Sequence, residues 1–177
     1  MKNESLVPEI RFPEFKEPWS SLLLKDIVKV NQGLAILKSK RFSEYAQNRY
    51  SYITIPFLEG KECDFIENPQ SSVICQKEDI IVSRTGNGVG KIWTNVEGVF
   101  HNNFFKVNPL DESINKPFLF YYLNKPQIQF KMKQYAGNSA IPDLNHGEFY
   151  ILPYYKTKIE EQQKIASFLT AIDKRIK

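Results

Sequence analysis

Cysteine and histidine are the scarcest reactive residues here: Cys63, Cys75, His101 and His146 are the whole supply among 177 residues. A four-ligand zinc site would consume all four, and no CxxC pair begins one, so a structural metal centre does not organise the chain. The expectation is two reduced, partly buried thiols in a cytosolic protein. Long apolar runs are missing too. No stretch approaches the roughly 20 apolar residues of a membrane span, and MKNESLVPEIRF lacks the apolar core of a signal peptide. A cytoplasmic protein with no membrane partner is expected. There is no internal repeat or low-complexity tract, which sets aside solenoid and disordered classes. Aromatics are plentiful: 13 Phe and 9 Tyr, within a hydrophobic share of 42%, describe a folded chain with a substantial core. The net charge of +4 suits a nucleic-acid partner and argues against an acidic mimic of DNA.

The opening PEIRFPEFKEPW reads as an extended arm over residues 1–20, anchored by Ile10, Phe12, Phe15 and Trp19, with a short apolar element at Leu22–Ile27. Strand-like runs follow: IVKV (27–30), SYITI (51–55), SVIC (72–75), DIIVS (79–83), KIWT (91–94) and FFKVN (104–108). Their β-branched and aromatic content and short spacing fit a sheet. Asn115 then caps a helix with Pro117 in its first turn. Pro126 restarts a second helix, which Gly137 ends. GNSAIPDLNHGEFYILP is turn-rich until a final apolar strand closed by Pro153. In the last stretch, Thr157 and Glu160 form a capping-box signature. Ile165, Phe168, Leu169, Ile172 and Ile176 then recur at spacings of three, four and seven, one stripe on a helix of about 20 residues, roughly 30 Å long. Glu160 and Glu161 at its start and Lys174 to Lys177 at its end suit the helix dipole. The stripe packs either on its own domain or on a partner helix. It is still running where the sequence stops, which favours the partner.

GNGVGK at 86–91 is the densest glycine cluster, and nucleotide binding is the first idea it raises. A P-loop needs four residues between its glycines and a hydroxyl after the lysine. Here three residues separate Gly86 from Gly90, and Lys91 is followed by Ile92. A dinucleotide fingerprint needs one more residue and a helix, whose aligned amides hold pyrophosphate, whereas KIWT continues as a strand. No cofactor is expected. Two histidines and no nucleophile motif leave a hydrolytic triad unsupported, and LPYY lacks the polar first residue and second proline of an amino-methyltransferase signature. What remains is a strand–loop–strand connection carrying Arg84, Thr85, Asn87 and Lys91. It is either a hairpin with decorative polar residues or a DNA contact, since Arg pairs with guanine, Asn with adenine, and Lys neutralises phosphate.

Five segments in order, PEIRFPEFKEPW, LKDIVKVNQG, EDIIVSRTGNGVG, GNSAIPDLNHGEFYILP and EEQQKIASFLTAID, resemble the specificity subunits of type I restriction–modification enzymes over essentially the whole chain. The resemblance implies an α+β target-recognition domain (residues 1–155), a mixed twisted sheet with helices, followed by a long spacer helix (156–177). It also implies double-stranded DNA, methyltransferase (modification) subunits and a restriction subunit as partners, with no catalysis by this chain. Members typically hold two such domains and two antiparallel helices. One domain and one helix make this chain either a half-length subunit that pairs with a copy of itself or half of a longer one. Carried onto this sequence, the DNA-facing residues are Gln32, Gly33 and Lys38; Arg84, Thr85, Gly86, Asn87 and Lys91; and Asn138 with Ser139. Arg84 and Asn87 would read base edges. The polar cluster His101, Asn102 and Asn103 adds candidates that are equally turn or capping residues. Lys38, Lys40 and Arg41 form a solvated face or, as favoured, a phosphate track. Tyr52 and Phe104 read as core aromatics. A rival reading is a protein-interaction scaffold that acts through the terminal helix and reads no DNA.

Overall fold

A computed structural model describes residues 5–176. The first four residues of the expected arm and Lys177 of the expected spacer helix therefore lie outside the described residues. In chain order the strands are β1 (Ser5–Leu6), β2 (Trp19–Leu23), β3 (Val28–Gln32), β4 (Arg49–Ile53), β5 (Phe65–Glu67), β6 (Ile74–Cys75), β7 (Ile80–Ser83), β8 (Ile92–Trp93), β9 (Gly98–Phe100), β10 (Phe104–Pro109) and β11 (Pro153–Lys156). The helices are α1 (Ile55–Leu58), α2 (Lys116–Leu123), α3 (Pro126–Ala136), α4 (His146–Tyr150) and α5 (Ile159–Ile176). The class is α+β with mixed pairing. The strands divide among three sheets, ordered β1-β2-β11, β3-β10-β7-β8 and β5-β4-β9-β6, and β4 with β9 runs parallel.

Strand β7 is buried at all four positions, and β10 is apolar or half-buried along its length, so both faces of this sheet must be covered. Period-two alternation divides them. Ile80, Val82, Phe105 and Val107 enter the larger core with Phe118, Leu119, Met132 and Phe149 from the helices. Ile81 and Phe104 turn the other way into a smaller core with Tyr52, Ile53, Val99 and Phe100. Each such side chain taken fully out of water contributes about 1.5–3 kcal/mol. The sheet is thus held between two cores, and its loops have nowhere to go but its ends. Tyr52 and Phe104 are fully buried.

Several local expectations hold. Asn115 Oδ1 accepts from Phe118 N at 2.9 Å and Pro117 lies in the first turn of α2, while α3 begins at Pro126. Others need correction. The apolar run FYIL is not a strand: a capping box between Asn145 and Glu148 nucleates α4, and Pro153 opens β11 instead of closing a strand. Pro tolerates the first strand position because its missing amide costs no ladder bond there. Residue 55 leaves its expected strand because Thr54 caps α1 by accepting from Phe57 N. Trp19–Leu23 is a strand, where an arm end and a short apolar element are expected. Of the arm's anchors, Trp19 is buried and Phe12 and Phe15 half-buried, but Ile10 is 95% exposed. At α5 the Thr157–Glu160 box gives way, since Thr157 Oγ1 donates to Glu161 instead.

Candidate functional site

Three loops meet at one end of the β3-β10-β7-β8 sheet, and each comes from a strand end or a helix cap. β7 and β8 are antiparallel, and Gly90 N donates to Ser83 O at 2.8 Å while Ser83 N donates to Lys91 O at 2.9 Å. The glycine cluster is therefore a hairpin tip with a short helical turn at Gly86–Gly88, and no helix follows to make a phosphate cradle. Gly86 adopts φ +74°, a conformation that favours glycine, and nothing lies within 4 Å of where its Cβ would be. Asn87 and Lys91 are exposed at this tip; Thr85 and Gly86 are half-buried.

Arg84 does not stand free as a base reader. Its Nε and Nη2 donate to Asp143 Oδ1 and Oδ2 at 2.9 and 2.6 Å, and Nη1 donates to Gln32 Oε1 at 3.0 Å. Gln32 Nε2 in turn donates to the Asn102 and Phe104 carbonyls. The backbone repeats the connection: Arg84 N donates to Asn103 O, Gly86 N to Pro142 O and Leu144 N to Arg84 O. Arg84 thus ties the glycine loop to the 101–103 turn and the 138–143 loop, while Gln129 Nε2 holds Gly90 O from α3 at 3.0 Å. A fork-to-fork pair of this kind orients as much as it stabilises. Arg84→Ala should therefore loosen the junction of the three loops, lowering the stability of the chain by about 1 kcal/mol as for a partly exposed pair. Thermal unfolding checks this; an unchanged melting temperature would remove Arg84 from the brace.

The remaining candidates separate. Asn102 is exposed and Asn103 half-buried, and Asn103 N donates to His101 Nδ1 at 3.0 Å. Burial first, then the nearby Arg41 charge, hold His101 below the usual histidine range, so it brings no positive charge to a phosphate. Asn138 and Ser139 are exposed, and Ser139 Oγ donates to Ile141 O at 2.8 Å, ordering its own loop. Gly33 is buried, and a Cβ there would stand 2.2 Å from His101 O, so it serves close backbone packing. Lys38 and Lys40 are exposed on one turn, away from the glycine loop in sequence. Arg41 is not part of a free phosphate track: Nε and Nη2 donate to Ile36 O, Nη1 to Asp64 Oδ2 at 3.1 Å, and the guanidinium lies 4.7 Å over Tyr52. A cleft of about 890 Å³ gathers Thr85, Gly86, Asn87, Lys91 and Asn103. Glu59, Gln129 and Ile141 line it as well, none of them an expected site residue. Gln129 lies outside the five resembling segments, and Ile141 and Asp143 lie in one of them with no spacing that marks them as site residues; Asp143 lies 59 residues from Arg84 and only the fold joins them.

The stripe on α5 is divided between the two expectations. Glu161, Gln162 and Ala166 are buried and Ile165 packs on the larger core, so the first turns belong to the domain. Leu169 is half-buried, whereas Phe168, Ile172 and Ile176 are exposed. Among the described residues no group of His, Cys, Asp and Glu could hold a metal ion, and no helix is long and apolar enough to cross a membrane.

The family model for the type I restriction modification DNA specificity domain matches residues 16–177. The type I restriction enzyme MjaVIII specificity subunit of Methanocaldococcus jannaschii is 24% identical over 163 residues, covering 90% of this chain and 37% of that protein. This chain thus spans little more than a third of that relative's length. The crystal structure of a type I restriction-modification S subunit from M. genitalium superposes with a TM-score of 0.69 at 18% identity, over 96% of this chain and 42% of that one. The HsdS subunit from Thermoanaerobacter tengcongensis does so with a TM-score of 0.68 at 16% identity, over 97% and 40%. Those two likenesses are of fold, and the family match extends across nine-tenths of the residues that build it. By that match, the chain belongs to the type I restriction modification DNA specificity domain family.

Proposed function

We propose that this chain reads a DNA sequence for a type I restriction–modification complex, with residues up to 155 as the recognition domain and residues from 156 as the spacer helix. The chain itself performs no chemistry; modification subunits methylate and a restriction subunit cleaves, in the cytoplasm. The observation that carries this reading is the convergence of three loops on one cleft, with Asn87 and Lys91 held out on a braced hairpin. A rigid sheet end presenting amide and ammonium groups suits base edges and phosphates, whose recognition needs donors fixed in place. Asn87 is the base reader; Lys91, with Lys38 and Lys40, positions the backbone.

Titration with random duplex at low salt tests the reading, because a recognition module must show salt-dependent non-specific binding. Lys91→Ala should weaken binding on every sequence and flatten the log–log salt slope by about one unit. An unchanged slope removes Lys91 from the phosphate contacts. The exposed Phe168, Ile172 and Ile176 favour a helix–helix contact in addition, either with a second copy or with a second recognition half. A pure scaffold would keep that contact and show no duplex binding in the assembled complex.

A further inference from the structure

The loop from 138 to 143 presents an apolar side chain that the domain does not use. Ile141 is 70% exposed, while Leu144, three residues on, is fully buried. The segment therefore can bury a large aliphatic group, and it holds Ile141 out instead. The exposure is not slack in the chain. Ser139 Oγ bonds the Ile141 carbonyl, Gly86 N bonds the Pro142 carbonyl at 2.9 Å, Asp143 N bonds Ala136 O at 3.1 Å, and the Asp143 carboxylate is locked by Arg84. The Ile141 carbonyl is thus held within its own loop, the Pro142 carbonyl by the glycine loop and the Asp143 amide by the end of α3. Ile141 lines the same cleft as Asn87, Lys91 and Asn103, whose polar ends suit base edges and phosphates.

We propose that Ile141 is a specificity-determining residue that packs against the 5-methyl group of a thymine in the major groove. The inference rests on the DNA-reading function above and names one part of it. On the major-groove edges of the four bases, the thymine methyl is the apolar feature, and aliphatic side chains recognise it by contact. A braced isoleucine beside an amide and an ammonium reads that feature as Asn87 reads a donor–acceptor pair. β-Branching restricts its side-chain torsion, so little freedom is lost when the contact forms.

The test uses the protein purified from its host in the assembly it natively forms, and a randomised duplex library from which the wild type selects its sites. Each thymine of the selected duplex is then replaced singly by deoxyuridine, which removes only the methyl. For the wild type, one position should lose about fourfold in affinity, the burial of one methyl-sized group. Ile141→Ala should bind thymine and deoxyuridine alike at that position, and Ile141→Val should keep the preference. Retained discrimination in Ile141→Ala overturns the proposal, as does a wild type indifferent to deoxyuridine everywhere. An equal loss on thymine and deoxyuridine duplexes overturns it in favour of a wedge between base steps. If the wild-type assembly enriches no sequence, the DNA-reading function itself falls, and this contact with it.

Discussion

Glu161→Ala should lower the stability of the chain by about 3 kcal/mol and its melting temperature by roughly 6–12 °C, as read by thermal unfolding. Glu161 accepts from Arg11 Nε and Nη2 at 2.6 and 2.7 Å, from Trp19 Nε1 at 3.1 Å and from the Thr157 hydroxyl. The side chains of Arg11 and Glu161 are only 9% and 1% exposed, so removing the carboxylate leaves a largely buried guanidinium without its counter-charge, held only by the bond from Nη2 to the Glu17 carbonyl at 2.7 Å. The figure lies at the low end for a buried pair broken on one side, since an apolar groove beside it can admit water. Replacing both residues by apolar ones of similar volume should recover much of the loss. Burial alone would raise the Glu161 carboxyl, but bonds from Arg11 and Thr157, the Arg11 charge and the Trp19 bond hold it below its ordinary value of 4.5. The folded pKa being depressed, this stabilisation is fully present above about pH 4.5 and is lost as pH falls through the folded value. Denaturant titrations at neutral and acidic pH should show that Glu161→Gln loses less on acidification than the wild type. Because Glu161 opens α5 and Arg11 lies in the arm, the same pair governs how α5 leaves the domain. Proteolysis of α5 should accelerate in the variant.

Gly33→Ala should cost at least about 3 kcal/mol and, under the proposed DNA-reading function, abolish duplex binding with it. Its added Cβ would lie 2.2 Å from His101 O and 2.5 Å from Phe100 O, both backbone atoms that no side-chain rotation can move. Relief requires the end of β3 to part from residues 100–104, which sacrifices the bonds from Gly33 N to Phe104 O and from Leu34 N to Phe100 O. Gln32 would move with it, and Gln32 props Arg84. Gly86→Ala is the control: its site is open, and only the left-handed backbone is strained, at roughly 1–2 kcal/mol. Equal melting temperatures for the two variants would remove the close-packing role of Gly33.

The strands of the central sheet are legible because DIIVS and FFKVN each concentrate three β-branched or aromatic residues in five positions, a composition that suits a strand over a helix. The start of α2 is legible for a local reason as well, since Asn115 and Pro117 act within one turn. α4 was equally local, with Asn145 and Glu148 three residues apart, but the apolar run FYIL around it mimics a strand. The candidate site divides in the same manner. Asn87 and Lys91 follow from a glycine-rich connection between strands, whose tip must be exposed. Arg84 and Arg41 do not follow, because a guanidinium reads the same in sequence whether it meets a base, a phosphate or a carboxylate of its own fold.

Local pattern by itself determined the succession of strand-like runs and helices, the strand-to-strand nature of the glycine cluster and its failure as a phosphate cradle, and the resemblance of five ordered segments implied the family and its α+β class. Each of these depends on spacing within a few residues or on the order of short segments. Only the tertiary structure decided that Arg84 pairs with Asp143 while Asn87 stays exposed, that Gly33 packs, that part of the α5 stripe is spent on its own domain, and that Ile141 stands exposed beside the cleft. The partners involved lie 49 to 150 residues away in sequence: Arg84 with Asp143, Gly33 with His101, Glu161 with Arg11 and Gln162 with Ser113. Contacts over such separations are set by how whole sheets and helices close on one another, and short-range spacing carries no trace of that closure.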